Sequence, residues 1–273
     1  MSQPEPDPEP APAPADAPAY SQPEPAGAPA HPQAIHLRPT AALAERVLLP
    51  GDPGRALTLA QSLLVKPLMF NHHRGLWGYT GAARSDGEPL TIQATGMGGP
   101  SAAIILTELI ALGARRAIRV GTCGALAPGL SLGDLLVARD AICADGASRA
   151  LGAGERAAAD PSLTAALLHA AARAQTAPSQ TASSPHRVHA GTIVSVDLFY
   201  DSGPAQHPAD ALAVEMEAAT LFAVGAAASV PVACVLVISD TFDAADLRTH
   251  IDDAPLLVAA EAMGAVAVTA LSA

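Results

Sequence analysis

Residues 47–55, Val-Leu-Leu-Pro-Gly-Asp-Pro-Gly-Arg, predict an apolar strand that runs into a glycine-containing turn and then into a helix. Pro53 fits the first turn of that helix, because a proline there loses no hydrogen bond. Gly51 presents a backbone amide with no side chain beside it, and Arg55 presents a planar fork of hydrogen-bond donors. Together these groups suit a tetrahedral oxyanion, so the stretch indicates a phosphate site at the end of a strand.

Outward from this stretch, apolar segments of strand length alternate with longer segments that are rich in Ala and Leu. We expect strands at residues 47–49, 68–71, 76–81, 90–94, 117–121, 134–138, 188–196 and 232–239. We expect helices at residues 53–64, 100–112, 160–174, 213–229 and 253–271. This alternation predicts an α/β fold, a single-domain three-layer α/β/α sandwich with a mixed, mostly parallel central sheet. Ligands bind such sheets at the carboxyl ends of strands, where the candidate motifs fall.

The N-terminal 34 residues differ from the rest of the chain in composition. They contain eleven of the 25 prolines, five acidic residues and no Lys or Arg. A disordered tail is therefore expected at residues 1–34, and one domain at residues 35–273. The tail has neither the basic start nor the apolar run of a secretory signal, and no apolar stretch of the chain is expected to span a membrane.

Charge and cysteine content argue against several other classes of protein. The formal net charge is −11, and no basic surface that could bind nucleic acid is expected. Three widely spaced cysteines fit a reduced, cytoplasmic protein better than a disulfide framework or a structural zinc site. The adjacent His72 and His73 would point to opposite faces of a strand, so no metal site is expected.

A charged residue, Arg119, lies inside the apolar segment at residues 117–121. A buried guanidinium needs an anion, since an unpaired charge in a protein core is very costly. That anion is either phosphate or a carboxylate in a structural salt bridge. Phosphate is the better partner, because Thr122 follows closely and Arg55 is expected nearby.

Two further motifs contain carboxylates. Glu215-Met216-Glu217 lies beside the start of a predicted helix, where the helix dipole alone would favour negative charge. Asp240 follows Ser239 at the end of an apolar strand, where a carboxyl group can be partly desolvated, as a general acid requires. A turn or helix-capping role is the alternative for Asp240.

The motifs around Gly51, Arg119, Glu217 and Asp240 resemble, in this order, those of the nucleoside phosphorylase family, which includes hexameric bacterial purine nucleoside phosphorylases and uridine phosphorylases. The resemblance extends from about His36 to the C-terminus. It implies phosphorolysis of purine nucleosides to free base and (deoxy)ribose 1-phosphate in nucleoside salvage. Uridine phosphorylase is the alternative. A nucleosidase of the same fold fits less well, because it has no use for two arginines in a phosphate site. A catalytically silent nucleoside-binding scaffold also fits less well, because it has no use for an intact set of site residues.

The resemblance also assigns roles to individual residues. The implied phosphate site consists of Gly51, Arg55, Arg119, Thr122 and, from a neighbouring subunit, Arg74. The implied nucleoside site consists of Met97, Phe199, Glu215, Met216, Glu217, Ser239 and, across a dimer interface, His36. Asp240 is the implied catalytic acid, which protonates the purine at N7.

Partners and cofactors follow from the same resemblance. Phosphate is a co-substrate, no metal or organic cofactor is expected, and a homo-oligomer, expected to be a hexamer, shares its sites across a dimer interface. The Gln-x-Arg pair with which uridine phosphorylases read the pyrimidine is not found around residues 195–200, which favours a purine. In bacterial hexameric enzymes an arginine on the following helix assists the aspartate. Arg248 lies at a shorter spacing, so its role stays open.

Overall fold

Strands and helices alternate along the chain as the sequence predicts. The computed structural model describes residues 34–176, 186–200, 207–243 and 247–273, so the tail expected at residues 1–34 lies outside the described residues apart from Ala34. The strands are β1 (Arg46–Leu49), β2 (Leu64–Asn71), β3 (Gly78–Ala83), β4 (Pro89–Gln93), β5 (Arg116–Ala125), β6 (Leu135–Cys143), β7 (Arg156–Ala158), β8 (Val188–Ser195), β9 (Ala213–Glu215), β10 (Val232–Phe242) and β11 (Arg248–His250). The helices are α1 (Pro53–Leu63), α2 (Gly99–Leu112), α3 (Gly146–Ala150), α4 (Pro161–Thr176), α5 (Ala218–Ala228) and α6 (Asp253–Leu271).

The helix predicted at residues 213–229 is wrong at its start. Ala213–Glu215 form strand β9, which pairs with β5, and helix α5 begins only at Ala218. The Glu215 carboxylate accepts hydrogen bonds from the backbone amides of Glu217 and Ala218, so the chain changes from strand to helix at this carboxylate. Local composition favours a helix throughout, and the pairing with β5 overrides that preference.

The bounds of the predicted hairpin also change. Strand β2 begins at Leu64, inside the predicted first helix, and β3 begins at Gly78 rather than at residue 76. Between the two strands, His73–Gly75 form a 3-10 turn in which Arg74 has a φ of 59°. The short elements α3, β7, β9 and β11 are too brief to leave a periodic signal in the sequence.

The central sheet is mixed, as predicted, and its strands follow the order β11-β10-β6-β8-β9-β5-β1-β4-β3-β2. Strands β4, β1, β5 and β10 pair in parallel, and so do β6, β8 and β9. Antiparallel pairs join β2 to β3, β3 to β4, β6 to β10, β6 to β7, β5 to β9 and β10 to β11. Because β10 also pairs with β5, strands β5, β10, β6, β8 and β9 close into a ring.

Helices cover both faces of the sheet, which confirms the three-layer sandwich. Helices α2 and α5 contribute to one core, and α1, α4 and α6 contribute to the other. Along β10, Leu236 and Ile238 belong to the first core, whereas Val235 and Val237 belong to the second. Because successive strand residues face opposite sides and both sides are covered, residues 232–238 of β10 form an uninterrupted apolar run.

Helix α6 corrects the expectation that no apolar stretch is long enough to span a membrane. Asp253–Leu271 is long and apolar enough by length and composition, and it is the one such helix among the described residues. Half of its most apolar window is buried inside the protein. Met263 and Ala267 are fully buried in the second core, so α6 packs as a core helix.

The carboxyl ends of four strands meet at one edge of the sheet. Gly51 follows β1 and Gly96 follows β4, and the Gly96 amide donates a hydrogen bond of 3.0 Å to the Gly51 carbonyl. Strand β5 continues beyond its predicted end at residue 121 to Ala125. The register of β10 against β5 shifts between Ile238 and Asp240. Bulges of this kind redirect side chains and are frequent beside active sites.

Candidate active site

A cavity of about 380 Å³ opens at this edge of the sheet. Its volume is typical of a site for a small molecule. Most of the residues that the sequence predicts for the site line it, namely Gly51, Arg55, Met97, Arg119, Thr122, Phe199, Glu215, Met216, Glu217, Ser239 and Asp240. The cavity therefore brings the predicted phosphate, nucleoside and acid residues together.

Arg119, on β5, is the central charged residue of the cavity. Its Nε atom lies 2.9 Å from Glu215 Oε2, and its Nη2 atom lies 2.5 Å from Glu217 Oε2. Burial opposes the charge of Arg119, but the attraction of Glu217 and Glu215 outweighs burial and raises its pKa. The remaining nitrogen, Nη1, is buried without a hydrogen-bond partner in the described part of the chain. A buried donor left unpaired is costly, so Nη1 marks a position for an acceptor.

Glycines make room for this guanidinium and for a ligand beside it. A Cβ atom at Gly121 would lie 2.8 Å from the guanidinium carbon of Arg119, which is closer than real contacts allow. A Cβ atom at Gly51 would lie 4.0 Å from Nη1 and 3.3 Å from the Gly96 carbonyl oxygen. A side chain at Gly51 would therefore occupy the space that Nη1 faces.

Arg55 adds a second cation to the same part of the cavity. The Asp52 side chain caps helix α1 by accepting a hydrogen bond of 2.7 Å from the Arg55 amide. Burial lowers the pKa of Arg55, and the charge of Arg119 acts in the same direction, while Asp52 opposes both. Two partly desolvated cations close to each other favour an anion between them.

Glu215 is occupied by contacts within the protein. Besides Arg119 and two backbone amides of the α5 start, it accepts a hydrogen bond from the Ser195 hydroxyl. These contacts fix the direction of the Arg119 guanidinium, so in this structure Glu215 supports Arg119.

The carboxylate of Glu217 makes fewer contacts within the described part of the protein than that of Glu215. Its Oε1 atom accepts a hydrogen bond of 2.6 Å from the Gly98 amide, and its Oε2 atom contacts Arg119. Burial raises the pKa of Glu217, while Arg119 opposes the increase and Glu215 adds to it. Each carboxylate oxygen keeps a lone pair that can accept a hydroxyl hydrogen from a ligand.

Asp240 is buried and is contacted from two sides. Its Oδ2 atom accepts a hydrogen bond of 2.7 Å from the Ser239 hydroxyl, and its Oδ1 atom lies 2.9 Å from His250 Nδ1. The Nε atom of Arg248 lies 3.7 Å from Oδ1, longer than a hydrogen bond. Arg248 therefore lies beside the Asp240 carboxyl group without a direct hydrogen bond to it.

The remaining wall of the cavity is apolar and partly aromatic. The guanidinium of Arg248 lies 4.2 Å from the centroid of the Phe199 ring, and the Tyr200 ring meets Phe199 edge-on at 5.0 Å. Val196, Leu198, Val214, Met216 and Phe242 complete this wall. A flat aromatic ligand would fit beside these side chains, with the Asp240 carboxyl group at its edge.

Two predicted residues are not brought to the cavity of their own chain. Within the described ranges, neither His36 nor Arg74 is among the lining residues. The His36 ring lies 2.7 Å from the Glu108 carboxylate, and Arg74 is exposed on the turn between β2 and β3. Their predicted contribution to a neighbouring subunit's site stays a prediction.

Sequence reasoning missed several residues of the site. Gly98 binds Glu217 through its backbone amide, which side-chain patterns do not reveal. His207 and Phe242 line the cavity, and burial lowers the pKa of His207. The position of His250 in the site could have been predicted, because His250 lies two residues after Arg248 and therefore faces the same side of a strand.

Comparisons with known proteins agree with this geometry. The family model described as phosphorylase superfamily matches residues 45–272. A DeoD-type purine nucleoside phosphorylase of Geobacillus kaustophilus (strain HTA426) is 35% identical over 207 residues, which cover 74% of this chain and 83% of the relative. Its counterpart in Jannaschia sp. (strain CCS1) is 37% identical over 209 residues, covering 72% and 82% respectively. The crystal structure of uridine phosphorylase from Vibrio fischeri ES114 matches with a TM-score of 0.70 at 24% identity, covering 84% of this chain and 92% of that chain.

These matches confirm the resemblance inferred from the motifs, and the chain belongs to the phosphorylase superfamily. Within that family, the relatives that it matches in sequence bear the name purine nucleoside phosphorylase. The likeness to the uridine phosphorylase, at 24% identity, shows the fold alone.

Proposed function

We propose that this protein is a pentosyltransferase that cleaves purine nucleosides with phosphate, giving free base and (deoxy)ribose 1-phosphate. The observation that carries the proposal is the buried Nη1 atom of Arg119, which has no hydrogen-bond partner among the described residues and lies beside the space at Gly51. The same guanidinium binds Glu217, so one side chain links a site for an anion to a site for sugar hydroxyls.

The proposed phosphate subsite is formed by Arg55, Arg119, Thr122 and the turn at Gly51. Phosphate would accept hydrogen bonds from Nη1 of Arg119 and from Arg55, and this would satisfy the guanidinium nitrogen that has no partner in the described part of the chain. Held there, its oxygens would attack the sugar from the side opposite the base.

The proposed sugar and base subsites explain how the bond breaks. As the bond between sugar and base lengthens, positive charge develops on the sugar ring, and the carboxylate of Glu217 and the bound phosphate stabilise it. The base lies along the apolar wall near Phe199, and Asp240 donates a proton to it. Protonation lets the base leave as a neutral molecule, which lowers the barrier.

A substrate panel tests this function. Base release from inosine, adenosine and uridine is measured with and without phosphate, and we expect phosphate-dependent release from at least one purine nucleoside. Release from uridine alone would identify a uridine phosphorylase instead. Release without phosphate would identify a nucleosidase, and no release from any substrate would favour a silent binding protein.

We also propose that each site is completed by His36 and Arg74 of a second copy of the chain. Apolar side chains exposed on the same hairpin as Arg74 support a contact between copies there, since Leu68 is 61% exposed, Met69 39% and Trp77 40%. Burial of such a surface against a second copy is the usual way for a protein to remove it from water.

Mixing two inactive variants tests the shared site. An Arg74→Ala chain paired with an Asp240→Asn chain contains one intact site and one with both defects. After unfolding and joint refolding, about a quarter of the wild-type activity should return if subunits assort at random in pairs. If mixtures stay as inactive as the separate variants, each chain builds its own site. Mixing Arg74→Ala with itself is the control.

A further inference from the structure

His250 connects the carboxyl group of Asp240 with the solvent. The two residues face each other across strands β10 and β11, and His250 Nδ1 lies 2.9 Å from Asp240 Oδ1. The Asp240 side chain is 8% exposed, whereas that of His250 is 59% exposed. The imidazole ring thus has one nitrogen on a buried acid and most of its surface in water.

The other side chains that contact this carboxyl group in the described residues are less suited to carry protons. Ser239 donates its hydroxyl hydrogen to Oδ2. Arg248 lies 3.7 Å from Oδ1, and an arginine does not lose its proton in proteins. An imidazole, in contrast, can take up a proton at one nitrogen and release one from the other.

We propose that His250 is the proton carrier that restores Asp240 to its protonated form in every catalytic cycle. This inference rests on the proposed function, in which each turnover moves one proton from Asp240 to the leaving base. The neutral ring with its proton on Nδ1 takes up a proton from water at Nε2 and gives the Nδ1 proton to Asp240. The exposed ring then returns to the Nδ1–H form by proton exchange with water, so each cycle takes one proton from water. Phosphate releases one proton to water when its oxygen bonds to the sugar, so the proton count is balanced and no oxidation occurs.

Substrate choice separates this role from a purely structural one. Inosine needs a proton on its base, whereas 7-methylinosine carries a positively charged base that leaves without one. We expect His250→Ala and His250→Asn each to lower kcat on inosine by about 10- to 100-fold. Both variants should change kcat on 7-methylinosine by less than about threefold, because that reaction uses no proton from Asp240.

The asparagine variant and added imidazole decide between a carrier and a residue that only positions Asp240. Asparagine keeps a hydrogen-bond donor near the Nδ1 position but cannot pass a proton on. We expect free imidazole to restore inosine turnover of His250→Ala, because the exposed ring leaves an open slot. Wild-type turnover by His250→Asn, equal losses on both substrates, or no restoration by imidazole would each overturn the proposal.

His189 offers a matched control. Its Nε2 atom lies 2.9 Å from Asp134 Oδ2, a second pair of histidine and buried aspartate, and neither residue lines the cavity in the described ranges. His189→Asn should leave both substrates unaffected. Wild-type enzyme that releases base from no purine nucleoside with phosphate would refute the proposed function itself, an outcome that is separate from any result with the His250 variants.

Discussion

Replacing Arg119 with lysine is expected to raise the KM for phosphate by about 10- to 100-fold and to lower kcat, because one charge-assisted contact of about 1.5–3 kcal/mol is lost. A lysine ammonium has no planar fork, so it cannot bind Glu215, Glu217 and phosphate in the present geometry. Initial rates measured over a range of phosphate concentrations at saturating inosine give both constants.

Lysine is preferable to alanine in this experiment. Arg119→Ala would leave the Glu215 and Glu217 carboxylates buried without a counter-charge, at a cost to the free energy of unfolding of about 3–5 kcal/mol. A variant that barely folds says nothing about phosphate. Melting temperatures measured beside the kinetics separate the two effects.

Arg46→Lys is the matched control for the loss of a buried guanidinium. Arg46 is also buried and binds both oxygens of Asp86, but it lies away from the cavity lining within the described residues. Its replacement should lower the melting temperature and leave the KM for phosphate unchanged. If Arg119→Lys does the same, Arg119 has a structural role only and the phosphate subsite is misplaced.

Arg119 also shows how far the sequence could lead. Its position within an apolar strand shows that an anion must lie nearby, and two candidates follow, phosphate or a carboxylate. The structure shows that carboxylates contact two of the three guanidinium nitrogens, and that the third has no hydrogen-bond partner among residues 34–176, 186–200, 207–243 and 247–273. The first of these contacts joins residues 96 positions apart in the chain, and no local pattern encodes such a contact.

The fold was predictable wherever a local signal was strong. Residues 232–238 of the buried strand β10 form a continuous apolar run, and the turn at Gly51 is marked by its glycine and by a proline in the first turn of α1. Strand β9 was not predictable, because three residues within a helix-like composition become a strand only through pairing with β5. The shift of register before Asp240 likewise arises from the pairing of two strands.

The surroundings of Asp240 could likewise be predicted only in part. The sequence predicts that an apolar strand ends at Ser239 and Asp240. It does not predict that β11 lies beside this end, because that arrangement depends on the antiparallel pairing of β11 with β10. That pairing brings Arg248 and His250 to the Asp240 carboxyl group. Sequence spacing alone left the role of Arg248 open, and its distance of 3.7 Å from Oδ1 makes it a neighbour of the acid.

Replacing Asp240 with asparagine is expected to lower kcat on inosine by about 100-fold or more, because a general acid contributes about 10²–10⁴-fold to a rate. Asparagine has nearly the same shape and can still bind a base, but it has no acidic proton to give. On 7-methylinosine the same variant should retain kcat to within a few-fold. Single-turnover measurements on both nucleosides keep product release from hiding the difference.

Asp134→Asn is the control, because Asp134 is an equally buried aspartate with a histidine partner outside the cavity lining of the described chain. It should change the free energy of unfolding, but it should not change kcat on inosine and kcat on 7-methylinosine differently. Equal losses on inosine and 7-methylinosine in Asp240→Asn would mean that Asp240 only positions the base. The acid would then have to be sought elsewhere along the cavity, and the carrier role of His250 would fail with it, because His250 reaches the base only through Asp240.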